Sequence, residues 1–74
     1  MILRGVVARN VRVLRERAGQ SQEELAHAAR VHTTYLSGIE NSRRNPTLDV
    51  IERLASALNV EPSALLARES ADAT

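Results

Sequence analysis

The sequence has no cysteine, no lysine, no tryptophan and no phenylalanine, and Tyr35 is its single aromatic residue. Without cysteine, neither a disulfide framework nor a thiolate metal site can staple the chain. Without large rings, the core has to be built from Leu, Val, Ile and Ala. No apolar run approaches the roughly 20 residues needed to cross a bilayer. The opening residues Met1 to Gly5 lack the long apolar stretch of a secretory signal, so a cytoplasmic location is the default expectation. What remains is short: 74 residues make one domain at most. A core of that size supports a stability of about 3–5 kcal/mol.

The formal net charge is only +1, but the charge is unevenly placed. Arg4, Arg9, Arg12, Arg15 and Arg17 face only Glu16 in the first part of the chain, and Arg30, Arg43 and Arg44 face only Glu40 in the middle. Residues 45–74 are net acidic. This asymmetry suggests one positive face suited to an anionic partner; an ordinary solvated surface of mixed charge has the same composition.

The apolar pattern reads as five short helices and no strand, an all-α chain. Val7, Val11, Leu14 and Ala18 mark one face of a first helix over Leu3 to Ala18, and Gly19 suits a left-handed terminator. Ser21 and Glu24 form a capping box for a helix from Gln22 to Ala29, with Leu25, Ala28 and Ala29 facing inward. A third helix runs from Thr33 to Glu40, with Leu36 and Ile39 inward. The apolar-free stretch from Asn41 to Pro46 is a loop. Thr47 caps a fourth helix from Leu48 to Leu58, whose inner face is Leu48, Ile51, Leu54, Ala55 and Leu58. Asn59 ends it, and Pro62 opens a short fifth helix to Ala67. Residues 69–74 read as a disordered tail, which makes 1–68 the domain.

The most informative segment is Gln22 to Asn41. Two short helices joined by a turn of three or four residues must cross steeply. Ala26 supplies the small residue where the backbones approach. Leu25, Ala29, Val31, Leu36 and Ile39 occupy the positions that pin the second helix to the core. In this segment, and over about Val7 to Leu66, the chain resembles the phage-repressor and Cro-type (XRE-like) helix-turn-helix regulators. The marks are Gln22 with Leu25-Ala26, the run Leu36-Ser37-Gly38-Ile39-Glu40, and the entry Asn45-Pro46-Thr47-Leu48. Two positions depart from the family: Arg30 stands where a turn glycine is usual, and His32 where Ser or Thr usually precedes the third helix. A left-handed Arg30 costs about 1–2 kcal/mol relative to glycine.

The resemblance implies a compact five-helix, lambda-repressor-like domain that binds double-stranded DNA, working as a bacterial or phage transcriptional regulator at the nucleoid. It implies that the third helix enters the major groove, with Thr33, Thr34, Ser37 and Gly38 at the base-reading positions. Gln22, at a helix N-terminus that favours anions, becomes a phosphate donor, and His32 can cap the third helix or touch phosphate. Asn41, Ser42, Arg43 and Arg44 lie along the sugar-phosphate backbone or at a narrow minor groove. Tyr35 either packs on the second helix or meets a phosphate through its hydroxyl. Arg15 and Glu40 match a pair that the family joins in a partly buried ion pair. Family members usually dimerise, and Leu65, Leu66, Ile2 and Leu3 are the interface candidates, with Val60 and Leu65 reading inward and Leu66 outward.

Repressor, activator and restriction-modification controller look alike at this level. A different class remains open: a protein-interaction module of the same fold, such as an antitoxin or regulatory subunit. Enzymatic chemistry finds no support, because His27, His32 and Asp49 fall on separate short elements with little room for a pocket. Glu23, Glu24 and His27 have the spacing of a solvated face, not of a metal site. No cofactor and no small-molecule ligand are implied.

Overall fold

The computed structural model describes residues 2–68, so the tail assigned to 69–74 lies outside it. Its elements are α1 (Leu3–Arg17), α2 (Gln22–Ala29), α3 (Thr33–Glu40), α4 (Leu48–Leu58) and α5 (Pro62–Leu66). There is no strand among the described residues. The all-α, five-helix expectation is met, with α1 and α5 each one residue shorter than their apolar pattern suggested.

Two of the helices, α2 and α4, start where a side chain satisfies free amides of the first turn. Ser21 Oγ accepts from Glu24 N at 3.0 Å while Glu24 Oε1 accepts from Ser21 N at 2.8 Å, a complete capping box. Thr47 Oγ1 accepts from Val50 N at 3.1 Å. His32 occupies the cap position of α3 but its ring makes no capping hydrogen bond.

The first four helices end in the same way. Gly19, Arg30, Ser42 and Asn59 all have left-handed φ values, 70°, 60°, 61° and 59°. At each, the amide donates three residues back and the next amide donates five residues back: Gly19 to Glu16 and Gln20 to Arg15, Arg30 to His27 and Val31 to Ala26, Ser42 to Ile39 and Arg43 to Gly38, Asn59 to Ser56 and Val60 to Ala55. These are Schellman turns, which satisfy carbonyls stranded at a helix end and reverse the chain within two residues. Four such reversals fold the short chain back onto itself.

The core is aliphatic. Leu25, Leu36, Ile39, Leu54, Leu65 and Val11 are fully buried, and Val7, Ala26, Ala29, Val50, Ile51, Ala55 and Leu58 surround them. Each buried Leu, Ile or Val contributes about 1.5–3 kcal/mol. α2 packs on α3 and α4, while α1 packs on α3 and α5. Asn10 is also buried, and its Nδ2 donates to Leu65 O at 3.0 Å and to Ala67 O at 2.9 Å, fastening α5 over α1.

Three inward assignments fail. Leu48 is 80% exposed; it is the first residue of α4. Ala28 is exposed, because at 100° per residue it falls about 60° outside the arc that Leu25, Ala29 and Ala26 share. Ala18 is exposed too, because α1 is buried along its amino-terminal half, at Val6, Val7, Ala8 and Val11, and only half-buried by Leu14.

Candidate nucleic-acid interface

α2 and α3 are joined by the turn Arg30-Val31-His32, and their placement is fixed from the inside. Leu36 and Ile39 anchor α3 in the core. At its carboxyl end Glu40, whose side chain is 1% exposed, receives Arg15 Nε on Oε2 at 2.7 Å and Arg15 Nη2 on Oε1 at 3.1 Å. This bidentate pair is the strong form of the arginine–carboxylate contact. The hydrogen bond to Glu40 raises the Arg15 pKa against the opposing effect of burial, with the Glu40 and Glu16 charges adding to the rise. Gln22 Nε2 donates to the same Oε1 at 3.0 Å. Arg15 Nη1 also donates to Gln20 O at 2.9 Å.

Arg12, one turn before Arg15 on α1, donates through Nη2 to the Glu40 carbonyl at 2.9 Å. That carbonyl lies at a helix C-terminus, where a positive charge is favoured. One buried residue at the end of α3 thus holds two arginines of α1 and the first residue of α2, and through Arg15 it is linked to the α1–α2 turn. Gln22 is not a freely solvated first-turn residue. It is half-buried, and one of its amide hydrogens is committed to Glu40.

The opposite face of α3 is left outward. Thr33, Thr34 and Asn41 are exposed and Ser37 and Gly38 half-buried; Thr34, Ser37, Gly38 and Asn41 share one face at helical spacing. Asn41 Nδ2 donates to Ser37 O at 2.8 Å, with Ser37 Oγ at 3.4 Å. Gly38 is not a bare spot where another molecule can approach. A Cβ built on it would meet Arg44 Cγ at 2.6 Å, so the Arg44 stem already fills that space. The loop backbone closes on the same residue, since Arg43 N and Arg44 N donate to Gly38 O at 2.8 and 3.2 Å. Arg43 and Arg44 are exposed, and neither has a carboxylate partner among the described residues.

Tyr35 is half-buried against the core, and its hydroxyl donates to Asn45 O at a long 3.4 Å; packing accounts for most of its surface. His32 and Ser42 are exposed. Glu23 and Glu24 put acid in the first turn of α2, which favours the helix dipole but opposes a phosphate at that spot.

Of the interface candidates, Leu65 drops out and its inward reading holds: it is the buried residue of α5, 0% exposed, and Asn10 Nδ2 donates to its carbonyl. Ile2, Leu3 and Leu66 are exposed, and Leu48 joins them. Leu3, Leu48 and Leu66 line one concavity of about 220 Å³ with Val7, Pro46 and Ile51. The sequence pattern gave no signal for Arg12, Asn10 or the left-handed Ser42, and for Leu48 it pointed the wrong way. Among the described residues, no group of three or more His, Asp or Glu side chains is placed to hold a metal, and no helix is long and apolar enough to cross a membrane.

This arrangement matches known proteins. Residues 11–65 fit the helix-turn-helix family model. The chain is 45% identical over 64 residues to a hypothetical transcription factor of Neisseria meningitidis, covering 86% of this chain and 60% of that protein. It is 42% identical over 65 residues to the control protein C.BamHI of Bacillus amyloliquefaciens, covering 88% of this chain and 78% of the relative. The crystal structure of the restriction-modification controller C.AhdI from Aeromonas hydrophila superposes with a TM-score of 0.82 at 37% identity, covering 84% of this chain and 94% of that one. The chain belongs to the XRE-type helix-turn-helix family of DNA-binding transcriptional regulators.

Proposed function

We propose that the chain is a homodimeric, sequence-specific regulator of the restriction-modification controller kind, which lays the outer face of α3 in the major groove of duplex DNA. The observation that carries the reading is the division of α3 into two faces. Leu36, Ile39 and Glu40 are locked to the body. Thr33, Thr34, Ser37 and Asn41 stand outward beside two arginines with no carboxylate partner among the described residues. Threonine and serine can hydrogen-bond several base edges, and a threonine methyl can pack on thymine. Arg43 in the loop neutralises phosphate. Similarity to C.BamHI and C.AhdI favours the controller role over other regulators.

The dimer reading rests on exposed apolar surface and on size. Ile2, Leu3, Leu48 and Leu66 are 65%, 48%, 80% and 38% exposed, and three of them share one concavity. The body measures 29 × 23 × 18 Å, less than the roughly 34 Å of one duplex turn. Two copies joined through this face suit two half-sites on the same side of the duplex.

The test is a gel shift on genomic fragments across a salt series. Binding that weakens steeply and log-linearly with salt is expected. Binding indifferent to salt, or none at low salt, contradicts the reading.

A further inference from the structure

α3 has a gap in its outer face and a side chain from elsewhere in the gap. The left-handed Ser42 turns the chain back, and the amides of Arg43 and Arg44 both close on Gly38 O. The Arg44 stem then lies across Gly38, with Cγ 2.6 Å, Cβ 3.6 Å and Cδ 3.7 Å from the point where a Cβ would stand. No side chain fits at position 38 unless the Arg44 stem shifts. Thr34, Ser37, Gly38, Asn41, Arg43 and Arg44 line a single concavity of about 210 Å³ on this side.

We infer that Gly38 and Arg44 act as one unit, in which the missing side chain at 38 seats Arg44 on the reading face and makes it a guanine-reading residue in the major groove. This rests on the proposed DNA-binding reading and goes beyond it, because position alone put Arg44 on phosphate or in the minor groove. Three observations support the assignment. First, Thr34 and Ser37 on α3 carry single hydroxyls, and neither offers the two-pronged donor that matches guanine O6 and N7; arginine does. Second, the Arg44 guanidinium has no carboxylate to hold it among the described residues. Third, the stem is already packed, which lowers the ordering cost of placing a long side chain at a base. Arg43, exposed at the rim of the same concavity, remains the phosphate ligand.

The experiment selects bound sites from a random duplex pool with the full chain and with Arg44→Ala, Arg44→Lys, Gly38→Ala and Arg43→Ala. Circular dichroism checks that each is folded. The wild-type motif is expected to hold a guanine at one fixed position in each half-site, preferred about ten- to a hundredfold. Arg44→Ala loses that preference and keeps the rest of the motif. Arg44→Lys loses it as well, since an ammonium lacks the fork. Gly38→Ala, which touches no charge, loses the same position because its methyl group takes the place of the Arg44 stem. Arg43→Ala weakens all sites evenly and lowers the salt slope by about 0.9. An Arg44→Ala protein that selects the wild-type motif, weakened evenly, overturns the inference while leaving DNA binding intact. A wild-type protein that enriches no motif overturns the DNA-reading proposal, and this inference with it.

Discussion

Glu40 carries more of the architecture than any other single side chain. Its carboxylate takes three hydrogen bonds from Arg15 and Gln22, and its carbonyl takes one from Arg12. Removing one partner of a buried pair strands the other charge, at about 3–5 kcal/mol. That is as large as the whole stability expected of a chain this size. Glu40→Ala is therefore expected to be largely unfolded at room temperature by circular dichroism, and a wild-type melting temperature would contradict the role. The pH dependence has a clear sign. Because the Arg15 pKa is raised in the folded state, its contribution is complete below the ordinary arginine range and is lost only as pH rises through the raised value. Thermal melts between about pH 7 and pH 9 should show no loss of stability from this group. The family pattern makes the Arg15–Glu40 pair legible in the sequence. It says nothing of Arg12 or Asn10, because nothing in a periodic apolar pattern says which polar side chain will meet a carbonyl far along the chain.

The helices themselves were readable to within a residue, because each has an apolar face and three of the four gaps between them carry a recognisable cap or terminator. The reversals were readable only in part. Gly19 and Asn59 are residue types that tolerate left-handed backbone, whereas Arg30 and Ser42 advertise nothing of the kind and are forced there by the packing of the helices on either side. Replacing Arg30 with glycine relieves about 1–2 kcal/mol of strain but gives back about 0.5–1 kcal/mol through the freer unfolded chain. Arg30→Gly is expected to be more stable by up to about 1.5 kcal/mol in urea denaturation; a fall in stability would mean that the arginine side chain itself supports the turn. The reading face was legible as a set of positions and not as a surface. Thr33, Thr34 and Ser37 face outward, but the filling of the Gly38 gap by Arg44 depends on a loop whose path the sequence does not announce.

At the scale of the whole molecule, two surfaces differ in chemistry: the α3 face with its arginines, and the apolar concavity shared by Leu3, Leu48 and Leu66. The second separates folding from assembly. Leu48 is almost fully exposed in the single chain, so Leu48→Asp should leave the melting curve of the monomer nearly unchanged while shifting sedimentation of a micromolar sample from dimer to monomer. Monomer alone in the wild type at high micromolar concentration would refute the dimer. The central claim is that α3 and the loop after it meet duplex DNA. Its most direct test is a nuclear magnetic resonance titration of the labelled protein with a mixed duplex pool at low salt. Amide signals from residues 33–38 and 41–44 should move while those of α5 stay in place; an unmoved α3 and loop would contradict the account.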